Sequence, residues 1–162
     1  MRPSLTISRR TLLAGLMTAP VAFPASAAPA TGDLPKMVVT KDPDCGCCTG
    51  WVDHVRAAGF EVEVIDSPEL NRLKARLGVP QALASCHTAE IGGYVIEGHV
   101  PAATIKRLLA ERPQAKGLAV PGMPSGSPGM EVEGMEPDTY EVVLFGPAGE
   151  RTYARFTGSR EV

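Results

Sequence analysis

The sequence predicts an α/β domain with the element order β-α-β-α-β-β-α, and three observations carry that reading. A short β-branched run, Met37-Val38-Val39-Thr40, leads through a loop into a helix-like segment. A second such alternation, Glu61-Val62-Glu63-Val64-Ile65, is followed by a second apolar stripe at helical spacing. Then two strand-like runs flank Gly92-Gly93, which is a two-residue hairpin signal.

Taken in order, the first strand covers Met37–Thr40. The first helix runs from about Cys48 to Ala58, with Trp51, Val55 and Ala58 on one face and Gly59 as its stop. After the second strand, Ser67-Pro68-Glu69 reads as a helix start, a cap followed by proline at the first helical position. Leu70, Leu73 and Leu77 supply that helix with its apolar stripe, and Gly78 ends it. Thr88–Ile91 and Tyr94–Glu97 form the hairpin. A third helix follows Val100-Pro101, with Ile105, Leu108 and Leu109 inward and Pro113 beyond its end. Residues 120–137, rich in Gly and Pro, exclude regular structure and carry Met123, Met130 and Met135. Tyr140–Phe145 and Arg151–Phe156, joined by a Gly146–Gly149 turn, close the chain as a C-terminal β-hairpin. The order, with a C-x-x-C between first strand and first helix, is the thioredoxin-like arrangement.

The N-terminal residues read as a targeting segment. Arg2, Arg9 and Arg10 precede an apolar stretch from Leu12 to Met17, interrupted by Pro20, and Ala25-Ser26-Ala27 forms an A-x-A exit. This is the pattern of a signal peptide over 1–27, with a linker at 28–35 and one domain over 36–162 whose C-terminal extension begins near 114. Ser8-Arg9-Arg10-Thr11-Leu12-Leu13 also fits a twin-arginine signal, beside an ordinary secretory one. The apolar stretch is too short to span a bilayer, so no membrane span is expected after cleavage. The expected location is the periplasm. Cleavage removes three arginines and no acids, taking the net charge from −2 to −5. No basic run survives, which argues against nucleic acid as a partner.

The chemistry concentrates in Cys45-Gly46-Cys47-Cys48, which holds three of the four cysteines. Helix N-terminal N–H groups and the helix dipole favour thiolate there. Soft thiolates within one turn suit Cu(I) or Zn(II). A disulfide within the run would close a tiny loop and constrain little of the unfolded chain, so a structural bridge is not expected. In the predicted topology the third strand is antiparallel to the first. Its start, Cys86-His87, and the exit of the fourth strand, Gly98-His99, therefore return to the end of the sheet where the cysteine run lies. His87 and His99 are candidates to touch or gate a metal. His54, roughly 10 Å down the helix from Cys47, is expected to be a surface or structural residue. Thioether sulfur is also a soft Cu(I) ligand, so Met123 and Met130 are candidate ligands if the loop returns to the site. About eight residues after Pro113 suffice to reach back, spanning more than about 20 Å when extended.

D-x-x-C-G-C-C-x-x-W, G-V-P, S-C-H-T-A, G-Y-V-I-E-G-H-V-P and G-L-A-V-P-G-M-P-x-G-S-P-G-M occur in that order. Together they resemble the exported CopG-like metal-binding family associated with copper resistance, over about residues 36–157. The resemblance implies a thioredoxin-like domain holding copper, with Cys45, Cys47, Cys48 and Cys86 as ligands and His87 and His99 as further candidates. The expected function is Cu(I) binding for copper resistance or homeostasis, by buffering copper, handing it on or interconverting Cu(I) and Cu(II). Expected partners are copper ions and periplasmic copper-handling proteins. Two rivals stand beside it: a periplasmic thiol–disulfide oxidoreductase using Cys45 and Cys48, and a zinc site of Cys₄ or Cys₃His type. Whether copper redox is catalytic, and hence whether the protein is an enzyme, is open at this level.

Overall fold

The computed structural model describes residues 34–162. The expected signal peptide (1–27) and all but the last two residues of the expected linker (28–35) lie outside the described residues. The chain forms β1 (Met37–Lys41), α1 (Gly46–Ala57), β2 (Val62–Asp66), α2 (Leu70–Leu77), a 3-10 turn (Gln81–Leu83), β3 (His87–Ile91), β4 (Tyr94–Glu97), α3 (Ala102–Glu111), β5 (Gly117–Ala119), β6 (Thr139–Gly146), β7 (Gly149–Thr157) and β8 (Arg160–Glu161). The predicted order β-α-β-α-β-β-α is found, followed by the C-terminal hairpin β6–β7. Strands β5 and β8 were not foreseen.

The strands make one mixed sheet, ordered β2-β1-β3-β4-β5-β6-β7-β8. β1 pairs parallel to β2 and antiparallel to β3, with Lys41 opposite His87. The β3–β4 hairpin turns through Gly92 and Gly93 at φ 57° and 88°, the paired left-handed geometry that the two glycines permit. β5 runs parallel to β4, with Ala119 opposite Glu97. Chain leaving β5 therefore arrives at the same rim as the ends of β1 and β4.

The core gathers Met37, Val39, Trp51, Val52, Val55, Ile96, Ile105, Leu108 and Leu118, all at most 1 % exposed. Each such large apolar side chain contributes about 1.5–3 kcal/mol. The α1 stripe is as predicted, with Trp51 and Val55 buried and Ala58 packed on the core. In α2 the expectation needs correcting. Leu70, Leu73 and Leu77 are only half-buried, and the one buried residue of the helix is Lys74. The helix also begins two residues later than expected, at Leu70 rather than Pro68. Ser67 Oγ accepts a hydrogen bond from the Glu69 N–H, so the Ser-Pro-Glu stretch forms a turn rather than the first helical turn. No helix among the described residues is long and apolar enough to cross a membrane.

Of the two readings of His54, surface or structural, the structure supports the second, with a specific role. Its Nε2 accepts the backbone N–H of Ala102 at 3.1 Å, supplying the start of α3 with the acceptor its sequence lacks. One turn earlier Trp51 Nε1 donates to the Val100 carbonyl at 2.9 Å. Burial lowers the His54 pKa below 6.5. The ring is neutral in the fold and charges first in the unfolded chain. The His54 contribution to stability of the metal-free protein should therefore be constant above pH 6.5 and be lost as pH drops from there through the lower folded value. His54→Gln, a neutral acceptor, should make that acid loss shallower in urea titrations at several pH values. His87 and His99 are shifted in the same direction, so part of the slope should persist.

Candidate metal centre

The loop that delivers the cysteine run is built by its own short-range bonds. The Asp44 N–H donates to Asp42 Oδ1 at 2.9 Å and the Cys45 N–H to the Asp42 carbonyl at 3.1 Å. Lys41, buried at the end of β1, donates to the Asp42 carbonyl at 3.0 Å and pairs with Asp66 at 3.1 Å. Cys45 occupies the cap position of α1, and Cys47 and Cys48 stand in its first turn. Cys48 is wholly buried, while Cys45 and Cys47 are half-buried.

Cys86 joins them from 38 residues beyond Cys48. Its Sγ is 3.9 Å from Cys47 Sγ, and Cys47 Sγ is 3.5 Å from Cys45 Sγ. The sulfurs of Cys45, Cys47, Cys48 and Cys86 all lie within 4.8 Å of one another. The convergence expected from antiparallel pairing is realised through the β1–β3 register. Cys45 and Cys48 are joined by a disulfide, leaving Cys47 and Cys86 as free thiols. The expectation is against a bridge as a structural staple; the pair that is bridged is the one the oxidoreductase alternative names. At the mouth of a helix the Cα atoms of a C-x-x-C lie 5.4 Å apart, within normal disulfide reach whatever little the loop constrains.

Both candidate histidines reach Cys86. His99 Nε2 is 3.0 Å and His87 Nδ1 3.4 Å from its sulfur, and these three residues form a second compact donor group. His99 Nδ1 lies 2.8 Å from the Pro128 carbonyl. A carbonyl only accepts, so Nδ1 carries the proton and Nε2 turns its lone pair toward the sulfur. Burial lowers the His99 pKa. Burial, then the neighbouring His99 and Lys74, hold His87 well below the ordinary histidine value. His87 stacks against Trp51 with centroids 4.4 Å apart, and its Nε2 is buried without a partner among the described residues. Burial, reinforced by Cys47, pushes the Cys86 thiol up to about 12. Metal binding at Cys86 must therefore displace a proton.

The Gly/Pro/Met segment does return to this rim, led there by β5. Ser85 Oγ donates to the Gly122 carbonyl, and Pro128 holds His99. Gly129 lies against the first turns of α1: at φ 83° an added Cβ would sit 2.5 Å from Trp51 N and 2.8 Å from the Cys47 carbonyl oxygen. Met130 is half-buried in this stretch, whereas Met123 and Met135 are exposed. Sequence reasoning missed Lys41, Lys74, Glu97 and Pro128. Buried lysine and glutamate leave no periodic signal, and Pro128 acts through its backbone. Four clustered sulfurs with two imidazoles at one edge form a donor set suited to soft ions, Cu(I) and Zn(II) alike.

Comparison with known proteins finds relatives of this chain. A family profile described as "Protein of unknown function, DUF411" matches residues 83–130, the stretch from the Cys86 turn to the methionine loop. No curated protein matches the chain. Two solved structures do: the copper resistance protein CopG in form 1, with 44% identity, a TM-score of 0.72 and coverage of 77% of this chain and 99% of the other; and the same protein in form 2, with 44% identity, a TM-score of 0.72 and coverage of 76% and 98%.

The fit of the loop on α1 can be tested with two glycines. Gly129 and Gly134 both have positive φ, but an added Cβ at Gly134 meets nothing within 4 Å. Gly134→Ala should cost only the backbone strain, about 1 kcal/mol or so. Gly129→Ala should cost clearly more in urea unfolding of the metal-free protein and should open residues 121–138 to protease.

Proposed function

The chain belongs to the family of the copper resistance protein CopG, and from that premise we propose an exported copper-binding protein of the periplasm. Copper is the cargo, held mainly as Cu(I) by Cys45, Cys47, Cys48 and Cys86. One observation carries the reading: four sulfurs, one of them drawn from a distant strand, within 4.8 Å of one another. Thiolate donors select Cu(I) more than hard ions do. His87 and His99 offer nitrogen donors at the Cys86 edge, suited to Cu(II), and Met123 and Met130 offer thioethers from the loop. Such a site buffers copper, hands it to periplasmic copper-handling proteins or changes its oxidation state. In this reading residues 36–162 form a thioredoxin-like domain released from a leader at 1–27.

One observation favours a second reading. The Cys45–Cys48 bridge at the mouth of α1 is the oxidised form a thiol–disulfide oxidoreductase would display. The two readings share a reduction step. Two electrons and two protons from a dithiol convert the bridge to two thiols, which either bind copper or reduce a client disulfide.

Cys47→Ser separates them, because it spares the C-x-x-C pair. Reduced, metal-free protein should retain Cu(I) over Zn(II) in chelator competition. Cys47→Ser should weaken Cu(I) binding by more than about tenfold, or about 1.4 kcal/mol. Unchanged copper binding in a variant that still reduces disulfides would favour the oxidoreductase. Preferential retention of zinc would point to a structural zinc centre.

A further inference from the structure

Lys74 and Glu97 form the one ion pair among the described residues with both side chains buried, 6% and 0% exposed. Neither belongs to the sulfur cluster. Glu97 Oε1 receives Lys74 Nζ at 2.5 Å and the Ser85 backbone N–H at 2.6 Å. Glu97 Oε2 receives the Thr88 hydroxyl at 2.7 Å, and Lys74 Nζ also donates to Thr88 Oγ1 at 2.8 Å. The network is closed, since each carboxylate oxygen is bonded and the hydroxyl both donates and accepts.

Stability alone does not account for the pair. Desolvating two charges costs several kcal/mol per ion, and well-packed apolar residues of similar volume often hold elements together as well or better. An apolar pair would lack an acceptor. Ser85 and Thr88, the two residues that Glu97 grips, bracket Cys86 and His87. Glu97 also lies two residues before His99, and Ser85 ties in the methionine loop at Gly122.

We propose that Glu97 is a positioning residue of the metal centre, with Lys74 as its counter-charge: its carboxylate holds the 85–88 segment so that Cys86 and His87 face Cys47 and His99. This rests on the reading of Cys86 as a copper ligand. Lys74 is the only buried residue of α2, and it is the side chain by which that helix joins this network.

The test compares two double variants. Lys74→Met/Glu97→Leu removes charge and acceptor together, whereas Lys74→Met/Glu97→Gln removes the charges and keeps an acceptor for Ser85. With the Cys45–Cys48 bridge intact only Cys47 and Cys86 can be alkylated, and each is followed by peptide mass spectrometry on metal-free protein. The Leu variant should still unfold cooperatively, with a urea midpoint lowered by the Ser85 N–H and Thr88 hydroxyl that lose their acceptor, yet under native conditions alkylate Cys86 about tenfold faster, because thiol reactivity follows exposure. Cys47 should be unchanged. After reduction its Cu(I) affinity should fall about 10- to 100-fold, the usual loss when a residue supporting a ligand is removed. The Gln variant should stay near the parent in both readouts. Parent-like alkylation and copper affinity in the Leu variant would overturn the proposal and leave the copper reading standing. A parent protein that binds no Cu(I) would sink the copper reading, while the alkylation comparison would still report on the grip. Should the Leu variant not unfold cooperatively, Thr88→Val removes the other side of the grip. It should also speed Cys86 alkylation, and a parent-like rate there would overturn the proposal.

Discussion

The antiparallel register of β1 against β3 is the constraint on which the rest of this structure depends. With Lys41 opposite His87, the last residue of β1 and the first of β3 share one end of the sheet. The three residues after Lys41 turn the chain into the cysteine run, and the residue before His87 is Cys86. Side chains alternate along a strand, so a slip of one residue would exchange the faces that His87 and Thr88 occupy. His87 would lose Trp51, and Thr88 would lose Glu97. The register is in turn held by burial on both faces: Val39 and Ala89 are wholly buried, and Thr40 and Thr88 nearly so.

Around that register the protein spends buried polar groups freely. Lys41 ties down the loop before Cys45, Glu97 the turn before Cys86, and the Pro128 carbonyl the ring of His99. Each replaces water with a fixed partner in surroundings where an unpartnered group would cost about 1–3 kcal/mol. The sulfur cluster thus sits between three tethers from three separate parts of the chain. The helices supply apolar mass, while these tethers set where the donor atoms point.

Much of this was readable in the sequence because its signals are local. Gly92-Gly93 marked the hairpin, Gly78 the end of α2, where φ is 73°, and the crowded cysteines the centre itself. Once strand directions were inferred, the approach of Cys86, His87 and His99 followed from topology. What stayed hidden has other physical origins. Strand β5 is three residues, Gly-Leu-Ala, too short to show alternation, and its strand character comes from neighbours on both sides. Lys74 reads as a solvent-facing residue between leucines. Only the tertiary fold turns it inward, because a buried carboxylate waits on β4. Loop entropy spoke only against the Cys45–Cys48 bridge as a staple, whereas proximity at the helix mouth decides that it can form.

The bond from His99 Nδ1 to the Pro128 carbonyl has a consequence for how the loop and the sulfur communicate. An imidazole is a two-ended relay with one proton, so committing that proton to the loop leaves the other nitrogen as an acceptor. If the loop lifts, the proton is free to cross to Nε2, and the ring then presents a donor to Cys86 where it had presented a lone pair. Loop position and the polarity facing the sulfur are one variable. A partner that lifts residues 126–130 would free the hydrogen-bonding sense at the metal edge to reverse, and would draw Met130 away with the same movement.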